Sequence, residues 1–154
     1  MDPNCVKNRT GYIVCLADCP IVWKFRLQET IAMSTCMSEY IALSTAMKEL
    51  LPLKEVLDVV RFAVGMGGEN NIIYFKTTVW EDNDACRMLA NLEPGRSTSR
   101  TKFFAIKLHW FRSHLKPKQI EVKRIDSCEQ KADILTKGLG KQKFEEIRLL
   151  LCGW

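Results

Sequence analysis

The stretch Trp-Glu-Asp-Asn at residues 80–83 and the stretch Ala-Asp-Ile-Leu-Thr-Lys at residues 132–137 decide the fold prediction for this chain. Each places an aspartate, Asp82 or Asp133, where a hydrophobic strand or a loop gives way to a helical pattern. A third acid, Glu39, lies upstream in a Ser-Glu-Tyr triplet. Mg²⁺ takes oxygen ligands, and two ions about 3.5–4 Å apart can stabilise the attacking and leaving oxygens of a phosphodiester. Three carboxylates that a fold could bring together therefore suit a two-metal phosphodiester-cleaving site.

Around these acids, the hydrophobic pattern predicts alternating strands and helices. Two β-rich runs separated by turn residues predict a hairpin, and Ser34 or Thr35 can cap a helix that Pro52 kinks or restarts. The predicted strands are residues 11–16, 21–27, 72–80 and 120–125, and the predicted helices are residues 34–51 with a continuation to 64, 85–92, 102–115, a helix bearing Asp133, and 143–151. This order indicates a mixed α/β domain with a partly antiparallel sheet.

Length and composition exclude several classes of protein. A chain of 154 residues with 47% hydrophobic and 27% charged residues is typical of one globular domain. No apolar run approaches the ~18 residues of a membrane span, and no signal-peptide core is present, so we expect an intracellular protein (in a cytoplasmic particle or the nucleus) that is not secreted. The seven cysteines include no Cys-x-x-Cys pair, which favours free thiols over a zinc site or disulfides.

The net charge of +5 is unevenly distributed along the chain. Residues 86–124 carry ten lysines and arginines against Glu93 and Glu121, a net of +8, and the remaining residues sum to −3. Such a basic stretch is typical of a polyanion-binding face, although a solvated helix surface is the alternative. The candidates for phosphate contact are Arg96, Ser97, Arg100, Lys102, Lys107 and Arg112.

Seven short segments, taken in order, resemble the ribonuclease H domain that closes the polyprotein of copia-type LTR retrotransposons. They are residues 10–12, 21–24, 34–40, 81–83, 99–102, 109–112 and 132–138. The resemblance runs from about residue 10 to residue 154. It implies a ribonuclease H-like mixed sheet flanked by helices, and hydrolysis of the RNA strand of an RNA–DNA hybrid during reverse transcription. The implied partners are that hybrid and the reverse transcriptase domain of the same polyprotein.

The resemblance also implies a set of site residues. Glu39, Asp82 and Asp133 match three of the family's four catalytic carboxylates, which hold two Mg²⁺ ions, with Mn²⁺ as a substitute. The fourth lies on the family's first, central strand and would fall before Asp2. We therefore expect residues 1–154 to be a single, N-terminally truncated domain that is inactive and poorly stable alone. In the family's strand order 3-2-1-4-5, the hairpin (strands 2 and 3) would then lack its bridge to the strand at residues 72–80, which is strand 4 in that order.

Each acid also has a simpler interpretation. Asp82 could cap a helix that starts near Asp84, Glu39 could be an exposed helix acid, and Asp133 could interact with a helix dipole. Glu81 and Asp84 are interpreted as solvent-facing neighbours of Asp82 rather than ligands.

Two further interpretations of the whole chain are kept. One is a catalytically dead retrotransposon remnant, or a tethering module, that at most binds nucleic acid. The other is an integrase core, against which the segment at residues 132–137 argues.

In the helix at residues 102–115, Phe103 replaces a family histidine, and His109 matches a second one and is interpreted as structural. The residues predicted to be buried there are Phe103, Ile106, Trp110 and Phe111.

Overall fold

A computed structural model of the protein describes residues 7–66, 75–93, 105–117 and 119–154. The chain forms two compact units. The described part of unit 1 is residues 7–43 and 125–154, and that of unit 2 lies within residues 44–124. Both units combine strands with helices, which confirms the mixed α/β class, and the ribonuclease H-like arrangement stays a prediction.

Unit 1 begins with an antiparallel hairpin of β1 (Arg9–Leu16) and β2 (Cys19–Leu27). The connecting residues Ala17 and Asp18 have φ angles of 48° and 63°, as a tight two-residue hairpin turn requires. The pairing register shifts between Val14 and Cys15. The predicted hairpin is confirmed, and both strands begin two residues earlier than predicted.

Helix α1 (Thr35–Ala63) starts in unit 1 and continues into unit 2. Ser34 caps it, because its Oγ accepts a hydrogen bond from the Met37 backbone N–H at 3.1 Å. The helix passes through Pro52 without a restart, so the predicted alternative of a new helix at Pro52 is wrong. The proline removes one backbone donor, but the turns on both sides of it keep their helical conformation.

Unit 2 contains a parallel pair of strands, β3 (Thr77–Glu81) and β4 (Ile120–Arg124), in which Thr77 faces Ile120 and Glu81 faces Arg124. Helices α2 (Asp84–Asn91) and α3 (Ala105–Leu115) pack on each other and on β4. The core here includes Cys86, Ala90, Phe111, Leu115, Ile120 and Val122. The buried Lys54 of α1 donates to Thr77 Oγ1 at 2.7 Å and to the Phe75 carbonyl, which fixes the start of β3.

Unit 1 is completed by the short helix α4 (Asp133–Thr136) and by α5 (Lys141–Cys152). Helix α4 packs on β1 and β2. Helix α5 ends at Gly153, whose φ of 77° is the left-handed conformation that glycine tolerates best, and its N–H donates to the Leu149 carbonyl.

Among the described residues, the strands form two separate two-stranded sheets, β1–β2 and β3–β4. A helix long and apolar enough to cross a membrane is not found in the described ranges.

One predicted core residue of α3 is wrong. Ile106 is 87% exposed, whereas Phe111 is fully buried and Trp110 is half-buried. At 3.6 residues per turn, Ile106 lies about 140° around the helix from Phe111, so it faces away from the packed side. Phe103 lies outside the described residues.

Candidate functional site

The candidate acid Asp82 follows the last residue of β3 and precedes the N-cap of α2. That cap is Asn83, whose Oδ1 accepts from the Cys86 backbone N–H at 2.9 Å. The interpretation of Asp82 as the helix cap is therefore wrong, because its neighbour takes that role. Asp82 is half-buried at the carboxyl end of a parallel strand pair, which is where open α/β sheets place their ligands.

Glu81 differs from the prediction that it faces solvent. Its side chain is buried, with the residue only 6% exposed, and its Oε1 accepts from the Asn83 backbone N–H at 2.9 Å. Burial raises the pKa of Glu81 above its ordinary value, against the lowering effects of hydrogen bonds from Asn83 and Cys86. The physical reason is strand alternation, because Glu81 shares a face of β3 with Thr77 and Val79.

Asp84, the other acidic neighbour of Asp82, faces solvent as predicted. Its carboxylate accepts from Arg87 of the same helix, with Nη2 at 3.2 Å, and from Nη1 of Arg124 on β4 at 3.0 Å. The loop after β3 thus contains one buried acid, one half-buried acid and one exposed, paired acid. Sequence reasoning did not identify the roles of Glu81, Arg87 or Arg124.

Glu39 lies in the second turn of α1, half-buried between the buried residues Ser38 and Tyr40. A buried side-chain amide fixes this turn to the hairpin. Gln28 Nε2 donates to the Ser38 carbonyl at 2.9 Å and to Thr10 Oγ1 at 3.1 Å. The position of Glu39 in unit 1 therefore depends on Gln28, whose role no pattern in the sequence indicates.

Asp133 is the first residue of α4, and its Oδ2 accepts from Lys137 Nζ at 2.8 Å. The helix lies so close to β1 that a Cβ on Gly11 would be 2.4 Å from Thr136 Cγ2 and 3.2 Å from Leu135 Cβ. The Thr-Gly-Tyr segment at residues 10–12 and the Asp133 segment, far apart in sequence, therefore pack directly on each other. A glycine inside a strand often marks such a close approach, so this signal was available in the sequence.

The three candidate carboxylates are divided between the units. Glu39 and Asp133 belong to unit 1, and Asp82 belongs to unit 2. Within residues 7–66, 75–93, 105–117 and 119–154, no group of three or more His, Cys, Asp or Glu side chains could hold a metal ion. Glu39, Asp82 and Asp133 lie in two different units, and metal binding by them stays a prediction.

The candidates for phosphate contact have different outcomes. Arg96, Ser97, Arg100 and Lys102 lie outside the described residues, and Lys107 is half-buried on α3. Arg112 is only 4% exposed, and its Nε donates at 2.8 Å to the carbonyl of Leu89 in α2. Phosphate contact does not fit this placement of Arg112, because its guanidinium joins α3 to the carboxyl end of α2. His109 is exposed on α3, and its interpretation as a structural residue stays a prediction.

Comparison with known proteins relates the chain to mobile genetic elements. No protein-family model matches it, and no solved structure matches it. It is 28% identical over 142 residues to the "Retrovirus-related Pol polyprotein from transposon TNT 1-94" of Nicotiana tabacum. The aligned region covers 90% of this chain and 10% of that protein. The chain thus spans about a tenth of the relative's length, and the likeness supports a retrotransposon Pol region.

Proposed function

We propose that this chain is a ribonuclease H-like part of a retrotransposon Pol polyprotein, acting on the RNA strand of RNA–DNA hybrids. The observation that carries the proposal is the packing of α4 on β1 at Gly11. Two of the segments that resemble the ribonuclease H family meet there, and one of them bears Asp133.

Asp82 gives the proposal independent support. It lies at the carboxyl end of β3, and the helix cap that could have explained it is supplied by Asn83. In the proposed function Glu39, Asp82 and Asp133 are the metal ligands. Two Mg²⁺ ions, with Mn²⁺ as a substitute, would supply activation of water and stabilisation of the leaving oxygen when bound. The proposed partners are the hybrid and the reverse transcriptase domain of the same polyprotein.

A second candidate is a module that binds nucleic acid without cleaving it. The observation in its favour is that the Asp133 carboxylate already accepts a hydrogen bond from Lys137 Nζ at 2.8 Å. In this alternative the protein keeps the ribonuclease H-like fold and the basic stretch at residues 86–124 but does not cleave RNA.

Calorimetric titration with Mg²⁺, together with cleavage of a labelled RNA strand in a hybrid, separates the two candidates. We expect Asp82→Asn and Asp133→Asn each to lower Mg²⁺ affinity without unfolding the protein, because each removes a carboxylate ligand. Asp58→Asn, which removes a half-buried acid paired with Arg61 on α1, is the matched control and should leave Mg²⁺ affinity unchanged.

The assays use the chain alone and the chain joined behind a reverse transcriptase domain. Cleavage by the joined protein that both variants abolish supports the ribonuclease. Binding of the hybrid without cleavage in either form supports the non-catalytic module. If both variants bind Mg²⁺ as the unmutated chain does, Asp82 and Asp133 are not ligands.

A further inference from the structure

Two arginines from different elements meet at one carboxylate beside Asp82. Arg87 Nε and Nη2 donate to Asp84 Oδ1 at 3.3 Å and 3.2 Å, and Arg124 Nη1 donates to Asp84 Oδ2 at 3.0 Å. Arg87 belongs to α2, whereas Arg124 is the last residue of β4. One carboxylate therefore accepts hydrogen bonds from two guanidinium groups.

The location of this group ties it to the candidate site. In the parallel register Arg124 is opposite Glu81, the residue that precedes Asp82. Both strands end at this edge, and α2 begins there with Asp84. Ligands of parallel α/β sheets bind outside the carboxyl ends of the strands. Arg87 and Arg124 therefore lie at the edge of the sheet where we expect a ligand of unit 2 to bind.

Both arginines can be reached from solvent. The Arg124 side chain is 61% exposed and that of Arg87 is 33% exposed. This separates them from Arg112, whose guanidinium is buried against α2. The next cation along β4, Lys123, is paired with Glu121 at 2.9 Å, and its charge is compensated locally. Arg87 and Arg124 thus both donate to the Asp84 carboxylate and keep part of each side chain exposed to solvent.

Guanidinium chemistry identifies the ligand class. A guanidinium group is planar, always charged, and presents five N–H donors in a fork that matches the oxygens of a phosphate. An acid that holds one side of each fork restricts its rotation and leaves less side-chain entropy to lose on binding. Contacts to phosphates position a nucleic-acid backbone without reading its sequence.

We propose that Arg87 and Arg124, oriented by Asp84, form a phosphate-contact pair that holds the nucleic-acid backbone at the edge of the sheet beside Asp82. The proposal rests on the proposed function and adds to it the residues that position the phosphodiester. Asp84 acts as a positioning residue and does not touch the nucleic acid.

The test measures binding of a labelled RNA–DNA hybrid to the full chain by fluorescence anisotropy over a series of salt concentrations. We expect the double variant Arg87→Gln/Arg124→Gln to reduce the slope of log K against log salt by about 1.8, because each lost phosphate contact contributes about 0.9. The control, Lys141→Gln/Lys143→Gln on α5, also removes two cations that have carboxylate partners and should leave the slope almost unchanged.

The variant Asp84→Ala tests whether binding of the hybrid depends on the orientation of the two arginines or only on the net charge of the protein. If only net charge mattered, removing an acid would strengthen binding of a polyanion. If Asp84 orients the arginines, the same change weakens binding even though the protein becomes more positive. Far-UV circular dichroism checks that each variant keeps its fold.

The outcomes distinguish this proposal from the function on which it rests. A reduced slope in the arginine variant together with weaker binding by Asp84→Ala supports the phosphate-contact pair. Binding by the unmutated chain with an unchanged slope in the arginine variant, or stronger binding by Asp84→Ala, overturns the pair and leaves the proposed function standing. A chain that does not bind the hybrid at all overturns both.

Discussion

The two units hold their candidate acids by different means. In unit 1, Asp133 is on a four-residue helix that can pack against β1 only because Gly11 has no Cβ. In unit 2, Asp82 follows a strand paired in parallel with β4, and the turn around it is fixed by hydrogen bonds to Glu81 and Asn83. The position of the acid is thus controlled by close packing in unit 1 and by polar contacts in unit 2.

The supporting elements differ in the same way. A two-stranded hairpin is marginally stable by itself in water, so unit 1 depends on the packing of α4 on β1 and β2 and on the hydrogen bonds that join the hairpin to α1. Gln28 provides one of them through Thr10 and the Ser38 carbonyl. In unit 2, strand pairing, Lys54 and Arg112 together fix β3, α2 and α3. We therefore expect a single steric change to have the largest effect in unit 1.

The largest effect is expected for Gly11→Val. Its Cβ would meet Thr136 Cγ2 at 2.4 Å and Leu135 Cβ at 3.2 Å, so α4 must move away from β1. Overpacking of this kind costs up to about 3 kcal/mol of unfolding free energy. Urea denaturation measures the loss, and hydrogen exchange should show earlier exchange of the amides of residues 133–137.

The matched control is Gly138→Val, because a Cβ at Gly138 meets no atom within 4 Å. Its unfolding free energy should change far less than that of Gly11→Val. Equal losses in the two variants would mean that the contact between β1 and α4 does not determine the stability of unit 1.

An intermediate effect is expected in unit 2 from Asn83→Ala. This change removes the side-chain acceptor for the Cys86 N–H, and loss of such a cap costs about 1 kcal/mol. Asp82→Ala, one residue earlier, should cost less, because Asp82 does not cap the helix. Urea denaturation of both variants compares the two positions, and a larger loss for Asp82→Ala would show that Asp82 serves stability rather than the proposed site.

Residues 82 and 83 show which structural features local sequence pattern can predict and which it cannot. Alternation and turn residues predicted the hairpin, and the acid at the end of β3 was placed correctly, because strand ends follow from local pattern. The sequence could not distinguish the cap, since aspartate and asparagine both favour that position. Nor could it show that Arg112 is buried and Arg124 exposed, because that depends on which carbonyl or carboxylate the fold brings near.

Local sequence pattern also does not predict which distant residues come together in the fold. The motifs identify Glu39, Asp82 and Asp133 as candidates, but residue spacing does not determine whether they meet. Their division between two units follows from the contacts of whole elements. Pro52 is a similar case, because local pattern alone does not show that α1 continues through it. A helix that packs on both sides of a proline can tolerate the missing hydrogen bond.

The smallest expected effect is a change in pH dependence at Glu81. Burial raises its folded pKa above the unfolded value, so in the interval between the two pKa values the folded protein binds more protons than the unfolded chain. Stability should therefore fall as pH rises through that interval, and the loss persists above it. Glu81→Gln keeps an oxygen that can accept from Asn83 N–H but cannot ionise. We expect the variant to match the unmutated protein at acidic pH and to exceed its stability at neutral pH.

Glu121 on the neighbouring strand is the control of opposite sign. Lys123, through its hydrogen bond and its charge, lowers the pKa of this exposed glutamate, so its contribution to stability is present above the unfolded pKa and is lost as pH falls. Glu121→Gln should thus lose a little stability at neutral pH and none at acidic pH. Urea denaturation of both variants without Mg²⁺, from acidic to neutral pH, measures the two trends. Parallel trends would show that burial does not control ionisation at Glu81, and the buried acid beside Asp82 would then have to be stabilised as a carboxylate by the hydrogen bonds from Asn83 and Cys86.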